Sequence, residues 1–555
     1  MNRRHFIRLS SSTLTGLLFT DFTSFSGTGA LRPALPARLW VTLDSGRHEL
    51  QSAGANKWIF QDVIAEMDYA GDALRVRIQS PGTALLEITA QWPLASAEPD
   101  TVLGDHWERT YGDVSFQPPV FDRRLPWYFI GTSAQQATCF GVRTGCSTLC
   151  YWQLGAGSMQ LTMDTRSAGM GVVLGNRVLH CADIITTRTQ GQENVFATAR
   201  RFCGLMSSSP RLPKEPVYGI NDWYFAYGRN STELILKHTS LLAELATDTH
   251  NRPFSVVDAG WAKYSPLQPD DCCWGDDFSR PNAHFQDMGK LAGDIRGLGM
   301  RPGLWTRPLS AAHDDPKSLL LPSIPGRDDP KSPVLDPTIE ENLARIQRNI
   351  HVYRQWGYEM VKHDYSTYDI TGKWGFQMTG EITQPGWQFH DRSKTTAEVV
   401  LQLYQKIREA AGDIYLIGCN TISHLSAGIF ELNRTGDDTS GKEWERTRKM
   451  GVNTLGFRLV QHQHFYSCDG DCVGLTRDVP WERNKQWMQL LSQSSAPLFI
   501  SAQPEALGSE QRVFIKDCFS RAARPMPVAE PLDWLTNPWP REWLLGGIRQ
   551  SFDWG

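Results

Sequence analysis

Between residues 39 and 187, apolar and polar positions alternate in short runs cut by Gly, Pro and Asp. Leu74-Arg75-Val76-Arg77-Ile78 and Leu86-Glu87-Ile88-Thr89-Ala90 are two of them. A period of two turns one face of each strand into a core. Many such strands without long helices predict an all-β sandwich, bounded here at 35–208. Pro210-Arg211-Leu212-Pro213-Lys214-Glu215-Pro216 breaks any regular element and marks a linker.

Beyond the linker the pattern changes to short apolar runs separated by amphipathic stretches. Strands are predicted at 217–223, 254–258, 302–305, 359–364, 414–418, 429–434, weakly at 464–467, and at 497–501. One helix is predicted to start at Asp336-Pro337, a capping residue followed by proline, and to end near Gly357. Its apolar stripe is Ile339, Leu343, Ile346, Ile350 and Tyr353. A second puts Val400, Leu403, Ile407 and Ala410 on one face and stops at Gly412. Strand then helix, repeated, predicts parallel strands closed as a (β/α)8 TIM barrel over 214–505, leaving 506–555 as a short C-terminal segment. The fold class is thus α/β plus all-β. In such barrels the site lies at the carboxyl ends of the strands, which gathers Trp223, Asp258, Trp305, Lys362, Asp364, Cys419, Arg434 and Asp438.

Composition narrows the functions open to this arrangement. The 555 residues are 41% hydrophobic and 21% charged with a net charge of -4, so a large core is possible and a basic nucleic-acid footprint is absent. No later apolar run reaches the roughly 18 residues of a membrane span. At the start, Arg3-Arg4-His5-Phe6-Ile7-Arg8, a weak apolar stretch from Leu14 to Phe19 and small residues to Ala30 read as a twin-arginine export signal over 1–30. A periplasmic or secreted location follows from that reading. Eleven cysteines match no four-ligand zinc spacing, and His462 and His464 lack a third ligand, so neither metal nor cofactor is expected. A local disulfide is expected at Cys272-Cys273 or between Cys468 and Cys472. The twenty Trp residues are mostly core by expectation, with some left as platforms for sugar rings.

Two acids stand out. Met360-Val361-Lys362-His363-Asp364 delivers one carboxylate to a strand end, and Arg434-Thr435-Gly436-Asp437-Asp438 supplies another beside a guanidinium. Cleavage of a glycosidic bond with retention needs a nucleophilic carboxylate and a protonated acid, about 5 to 5.5 Å apart. Lys362, on the same side of its strand as Asp364, is expected to favour ionised Asp364, which suits a nucleophile. Asp437 beside Asp438 is expected to raise one of the two pKa values, which suits an acid/base residue. The residues alone leave Asp437 available as a turn cap and Arg434 as either a sugar contact or a support for Asp438.

From about Glu215 to Ser501 the chain resembles clan D of the glycoside hydrolases, closest to the α-galactosidase families 36 and 27. The resemblance rests on Tyr218-Gly219-Ile220-Asn221-Asp222-Trp223, Val257-Asp258-Ala259-Gly260-Trp261, Gly303-Leu304-Trp305, Lys362-His363-Asp364 and Arg434-Thr435-Gly436-Asp437-Asp438-Thr439, in that order. Trp107-Glu108-Arg109-Thr110-Tyr111-Gly112-Asp113 resembles the family 36 N-terminal domain. The likeness implies a retaining exo-α-glycosidase with Asp364 as nucleophile and, as the acid four residues after an Arg, Asp438 as acid/base. Trp223, Asp258, Trp305, Lys362, Cys419 and Arg434 would bind an oligosaccharide or glycan. Ala259 stands where that clan usually carries a second acid gripping the 4- and 6-hydroxyls. This opens α-N-acetylgalactosaminidase or β-L-arabinopyranosidase activity beside α-galactosidase. Small residues at Gly418-Cys419-Asn420 would leave room at the sugar's 2-position. A carbohydrate-binding protein without turnover is the alternative of another class.

Overall fold

The computed structural model describes residues 23–25, 31–94, 99–264, 276–327 and 333–555. The export-signal motif, the expected cleavage point near Ala30, and Cys272 with Cys273 lie outside the described residues.

The alternating half of the chain forms two antiparallel sheets of eight and six strands. In Ala73–Ser80 the residues Leu74, Val76 and Ile78 are buried while Arg75, Arg77 and Gln79 are partly exposed, as the period of two requires. Leu39, Val41, Ile88 and Ala90 of the six-stranded sheet are likewise wholly buried. Trp92, Trp127 and Trp152 fill this region, so core packing absorbs much of the tryptophan content.

The second domain is a TIM-like parallel sheet. Its strands are β1 (Tyr218–Asn221), β2 (Phe254–Val257), β3 (Arg301–Thr306), β4 (Met360–His363), β5 (Tyr415–Gly418) and β6 (Leu432–Arg434). They are followed by β7 (Ser467–Asp469), β8 (Cys472–Leu475) and β9 (Leu498–Ala502). They pair in the order β7-β6-β5-β4-β3-β2-β1-β9-β8. The two ends of that order, β7 and β8, are separated in the chain only by Gly470 and Asp471, the latter at φ 70°. Strands buried on both faces read as continuous apolar runs, which is why the sequence pattern located most of them. Register then aligns their carboxyl ends: Trp305 pairs with Lys362, His363 with Gly418, and Arg434 with Asp469.

Three expectations need correction. The predicted strand at 464–467 is β7 and β8 instead, two runs of three and four residues interrupted by Gly470 and a positive-φ aspartate, each too short to give a period. The helix expected from Asp336 begins at Glu340. Asp336 Oδ1 instead accepts from Thr338 N (2.8 Å) and Oγ1 (2.6 Å), closing a turn ahead of the helix Glu340–Trp356. Cys468 and Cys472 are both free thiols. They sit on β7 and β8, which leave Gly470-Asp471 for opposite neighbours, and Cys468 Sγ donates to Arg458 O at 3.4 Å.

The helix Thr396–Ala411 matches its pattern. It opens with a Thr395/Glu398 capping box and buries Val400, Leu403, Ile407 and Ala410. Each of its larger aliphatic side chains contributes roughly 1.5–3 kcal/mol by burial. After β9, the helix Ser509–Ala522 packs on the helix Trp481–Gln493, and a three-stranded sheet follows.

The antiparallel sheets meet the parallel sheet's side of the molecule through a buried loop. Arg458, ahead of β7, clamps Asp105 at 2.8 Å, Trp127 stacks on His424 at 4.8 Å, and Trp107 Nε1 donates to Met378 O at 3.2 Å. Thr110 N donates to Thr435 O and Asp437 N to Thr110 O, both at 2.9 Å, so the loop extends the end of β6.

Candidate active site

The ends of β1 to β4 and the loop after β6 line a small pocket with a cavity volume of about 40 Å³, below the usual range of ligand sites. It brings together six of the residues expected from sequence: Trp223, Asp258, Trp305, Lys362, Asp364 and Asp438. Ala259 also faces it, and Arg109, Tyr365 and Trp374 complete the wall. A larger cleft lies between the linker and Met526, but among its lining residues Glu215 is the single carboxylate. It cannot supply a pair of acids.

Asp364 follows β4, its N–H continuing the ladder to Thr306 O at 3.0 Å. Three N–H donors fix its carboxylate: Trp305 Nε1 to Oδ2 (3.1 Å), and the backbones of Tyr365 (2.8 Å) and Asn420 (3.1 Å) to Oδ1. Donors alone surround it, so both oxygens are oriented. The chain then turns sharply at Tyr365, whose φ of 67° is rare for a bulky residue and is held by packing against Trp305 and Trp374.

Lys362 does not face Asp364 as expected. Its Nζ donates to Asp258 Oδ2 at 2.7 Å. Two positions earlier on a strand shares the side but not the depth, and the buried ammonium finds the acid of β2. Burial is the largest influence and opposes its charge, yet Asp258 together with Cys419 and Asp471 outweighs it and carries the Lys362 pKa well above the usual value. Asp258 also accepts from Asn221 Nδ2 (2.6 Å) and Ala259 N (2.8 Å). Behind it, burial and the Asp258 charge push Asp222 up to about 7.

The neighbouring acids after β6 are divided by their partners. Asp437 is clamped by Arg109 (2.7 Å) and Arg446 (2.8 Å), so it braces the loop rather than capping a turn. Asp438 reaches the pocket, with Arg434 at 3.3 Å and Arg109 at 3.6 Å from Oδ1. The expected rise in its pKa is reversed. Burial works upward, but Arg109, Arg434 and Lys362 together hold it below the ordinary carboxylate range, because Asp437 is already neutralised by two arginines.

Arg434 and Cys419 lie under the pocket wall, each 1% exposed. Arg434 binds Asp471 at 2.8 Å as well as Asp438, and Cys419 Sγ accepts from Arg109 (3.3 Å) and Arg434 (3.5 Å). Burial pushes the Cys419 thiol well above its usual pKa, so it is not a thiolate. His462 accepts from Cys468 N at 3.0 Å and pairs with Ser495 at 3.3 Å. Among the described residues no group of His, Cys, Asp or Glu is arranged to hold a metal.

Sequence reasoning missed Arg109, Tyr365 and Trp374 as site residues. Arg109 lies within Trp107–Asp113, but nothing in its local pattern shows that it crosses to the parallel sheet.

No family model matches the chain, and no curated protein matches it. Solved structures do. An α-galactosidase of Thermus thermophilus in complex with p-nitrophenyl α-D-galactopyranoside superposes with TM-score 0.60 at 17% identity, covering 93% of this chain and 99% of that one. A variant of the family 36 α-galactosidase AgaA of Geobacillus stearothermophilus in complex with 1-deoxygalactonojirimycin gives 0.58 at 13%, covering 90% and 77%. The galactosidase domain of an α-galactosidase-sucrose kinase gives 0.60 at 14%, covering 89% and 76%. The chain has the fold of the family 36 α-galactosidases.

Proposed function

We propose that this protein is a retaining exo-α-glycosidase acting on terminal α-linked galactose or a related sugar. The observation that carries the reading is that Asp364 and Asp438, from the ends of β4 and β6, face one small pocket walled by Trp223, Trp305 and Trp374. The solved enzymes of like fold, described with galactosides and an inhibitor, support it. We read the parallel sheet as a (β/α)8 barrel, the domain before it as a β-sandwich, and the protein as exported through its Arg3-Arg4 signal.

In this mechanism a carboxylate oxygen of Asp364 attacks the anomeric carbon as the glycosidic C–O bond breaks. The bond's electron pair goes to the leaving oxygen, which takes the proton of Asp438. A water then enters, loses a proton to Asp438 and attacks the same carbon, releasing Asp364. Trp305 Nε1 and the two backbone N–H groups keep Asp364 aimed, and Asp258 with Lys362 offers charged hydrogen-bonding groups to sugar hydroxyls.

Ala259 in the pocket wall favours a second reading within the class, α-N-acetylgalactosaminidase or β-L-arabinopyranosidase, because one acid fewer grips the sugar. A panel of aryl glycosides assayed on wild type, Asp364→Ala and Asp438→Ala separates these. Asp364→Ala with wild-type hydrolysis rejects the mechanism, and sugar binding without any turnover selects a lectin-like protein.

A further inference from the structure

The loop that carries Arg109 also carries Glu108, which is wholly buried although it belongs to the sandwich domain. Its carboxyl is used on both oxygens. Oε1 accepts from Gly375 N at 2.7 Å and from the Tyr111 hydroxyl, and Oε2 accepts from Asn420 Nδ2. Both barrel partners border the site. Asn420 donates its backbone N–H to Asp364 Oδ1 at 3.1 Å, while its Oδ1 accepts from Tyr368 N at 3.1 Å. It therefore ties β5 to the segment that follows the nucleophile candidate. Gly375 follows Trp374, whose ring stacks on Tyr368 at 4.5 Å and meets Tyr365 at 5.4 Å. The approach to Gly375 is close enough that a Cβ there would lie 2.4 Å from Glu108 Cγ, so the position accepts no side chain without displacing the glutamate.

We propose that Glu108 is a positioning residue of the catalytic site. Reaching in from the sandwich domain, it fixes the Asn420 loop behind Asp364 and the Trp374 loop across the pocket. The inference rests on the reading of Asp364 as nucleophile.

The chemistry suits the task. A carboxyl presents acceptors in two directions, and here the donors on each side belong to different loops of the other domain. Burial, with Asp437 adding to it, exceeds the opposing effect of Arg109, the Tyr111 hydroxyl and Gly375 N, pushing Glu108 up to about 7. A group so placed has few alternatives to its present partners, since an unpaired buried polar atom is costly. A displacement of about 1 Å in a reacting group can cost roughly 10²-fold in rate.

The test uses donor and acceptor exchange in the full-length protein. In Glu108→Gln the amide NH2 meets the Asn420 NH2, donor against donor, or flips and meets Gly375 N instead. Adding Asn420→Asp exchanges donor and acceptor across the same contact and restores the pairing. We expect Glu108→Gln to lower kcat on an activated aryl α-glycoside by about 10²-fold, with KM within roughly threefold. The double variant should regain at least half of that loss on a logarithmic scale. Thermal unfolding of each variant is followed in parallel, so that lost activity is assigned only to folded protein. An active wild type with unchanged kcat in folded Glu108→Gln overturns the inference alone. So does a single-variant loss that the double variant fails to reduce, or one explained by unfolding at the assay temperature. A wild type inactive on every aryl α-glycoside overturns the reading beneath it.

Discussion

Replacing Arg109 by glutamine isolates the electrostatics of the site. In the proposed mechanism Asp438 must be protonated when the leaving group departs, so kcat/KM falls as pH rises through its pKa. Arg109 Nη1 stands 3.6 Å from Asp438 Oδ1. At that separation the attraction is about 1.2 kcal/mol in a water-like dielectric and about 4.6 kcal/mol at an effective value near 20, or roughly 1 to 3 pKa units. The Asp438 side chain is 34% exposed, which favours the lower end through screening. Asp437 loses its 2.7 Å partner in the same variant but keeps Arg446, and its less compensated charge acts in the same direction. The expected result for Arg109→Gln is an alkaline limb of kcat/KM displaced upward by about 1 unit. The assay is the pH profile of hydrolysis of a p-nitrophenyl α-glycoside by wild type and variant. An alkaline limb that stays in place, or moves down, refutes the account of how Asp438 is tuned.

Other outcomes follow from the same contacts. Trp305→Phe removes the 3.1 Å donor to Asp364 Oδ2 and should cost about 1.5–3 kcal/mol in kcat/KM, roughly 10- to 150-fold, measured by steady-state kinetics. Asp438→Ala should lose roughly 10²- to 10⁴-fold on substrates with poor leaving groups and much less on activated aryl glycosides, a contrast that equal losses would contradict. Lys362→Met strands buried Asp258 without its 2.7 Å partner, and urea unfolding should show a loss of about 3–5 kcal/mol. Burial first of all raises Glu108 and Asp222 to about 7, and Asp164 and Asp469 to about 6. Groups raised in the folded state favour folding at low pH and lose that contribution as pH climbs through the folded pKa. Tm should therefore fall from about pH 4, where the unfolded carboxyls ionise, to about pH 7, and a flat or rising Tm over that window counts against these burials.

The boundary between what the chain announces and what folding adds runs through single residues. A period of two in 73–80 and the apolar residues Phe254, Val256 and Val257 of β2 and Met360 and Val361 of β4 mark buried positions, because side-chain direction follows backbone geometry within a few residues. Parallel strands then deliver their last residues to one end, so Trp305, Lys362 and Asp364 were legible as neighbours from local pattern and strand order. The pair that escaped, β7 and β8, is split at Gly470 and positive-φ Asp471 into runs too short to show a period.

Charge partners were a different matter. The sequence placed Lys362 on the side of Asp364, and the tertiary structure gave it to Asp258, 104 residues away. It placed Asp437 against Asp438, and the fold neutralised Asp437 with Arg109 and so reversed the direction of the Asp438 pKa. Arg109 and Glu108 reach Cys419 and Asn420 across 310 and 312 residues. Hydrophobic periodicity acts over a turn or a strand, so one chain segment suffices to read it. Coulomb and hydrogen-bond energies are set by separations of a few ångströms between segments, and only tertiary packing fixes those, within the parallel sheet for Lys362 and Asp258 and between it and the antiparallel sheets for Arg109 and Glu108.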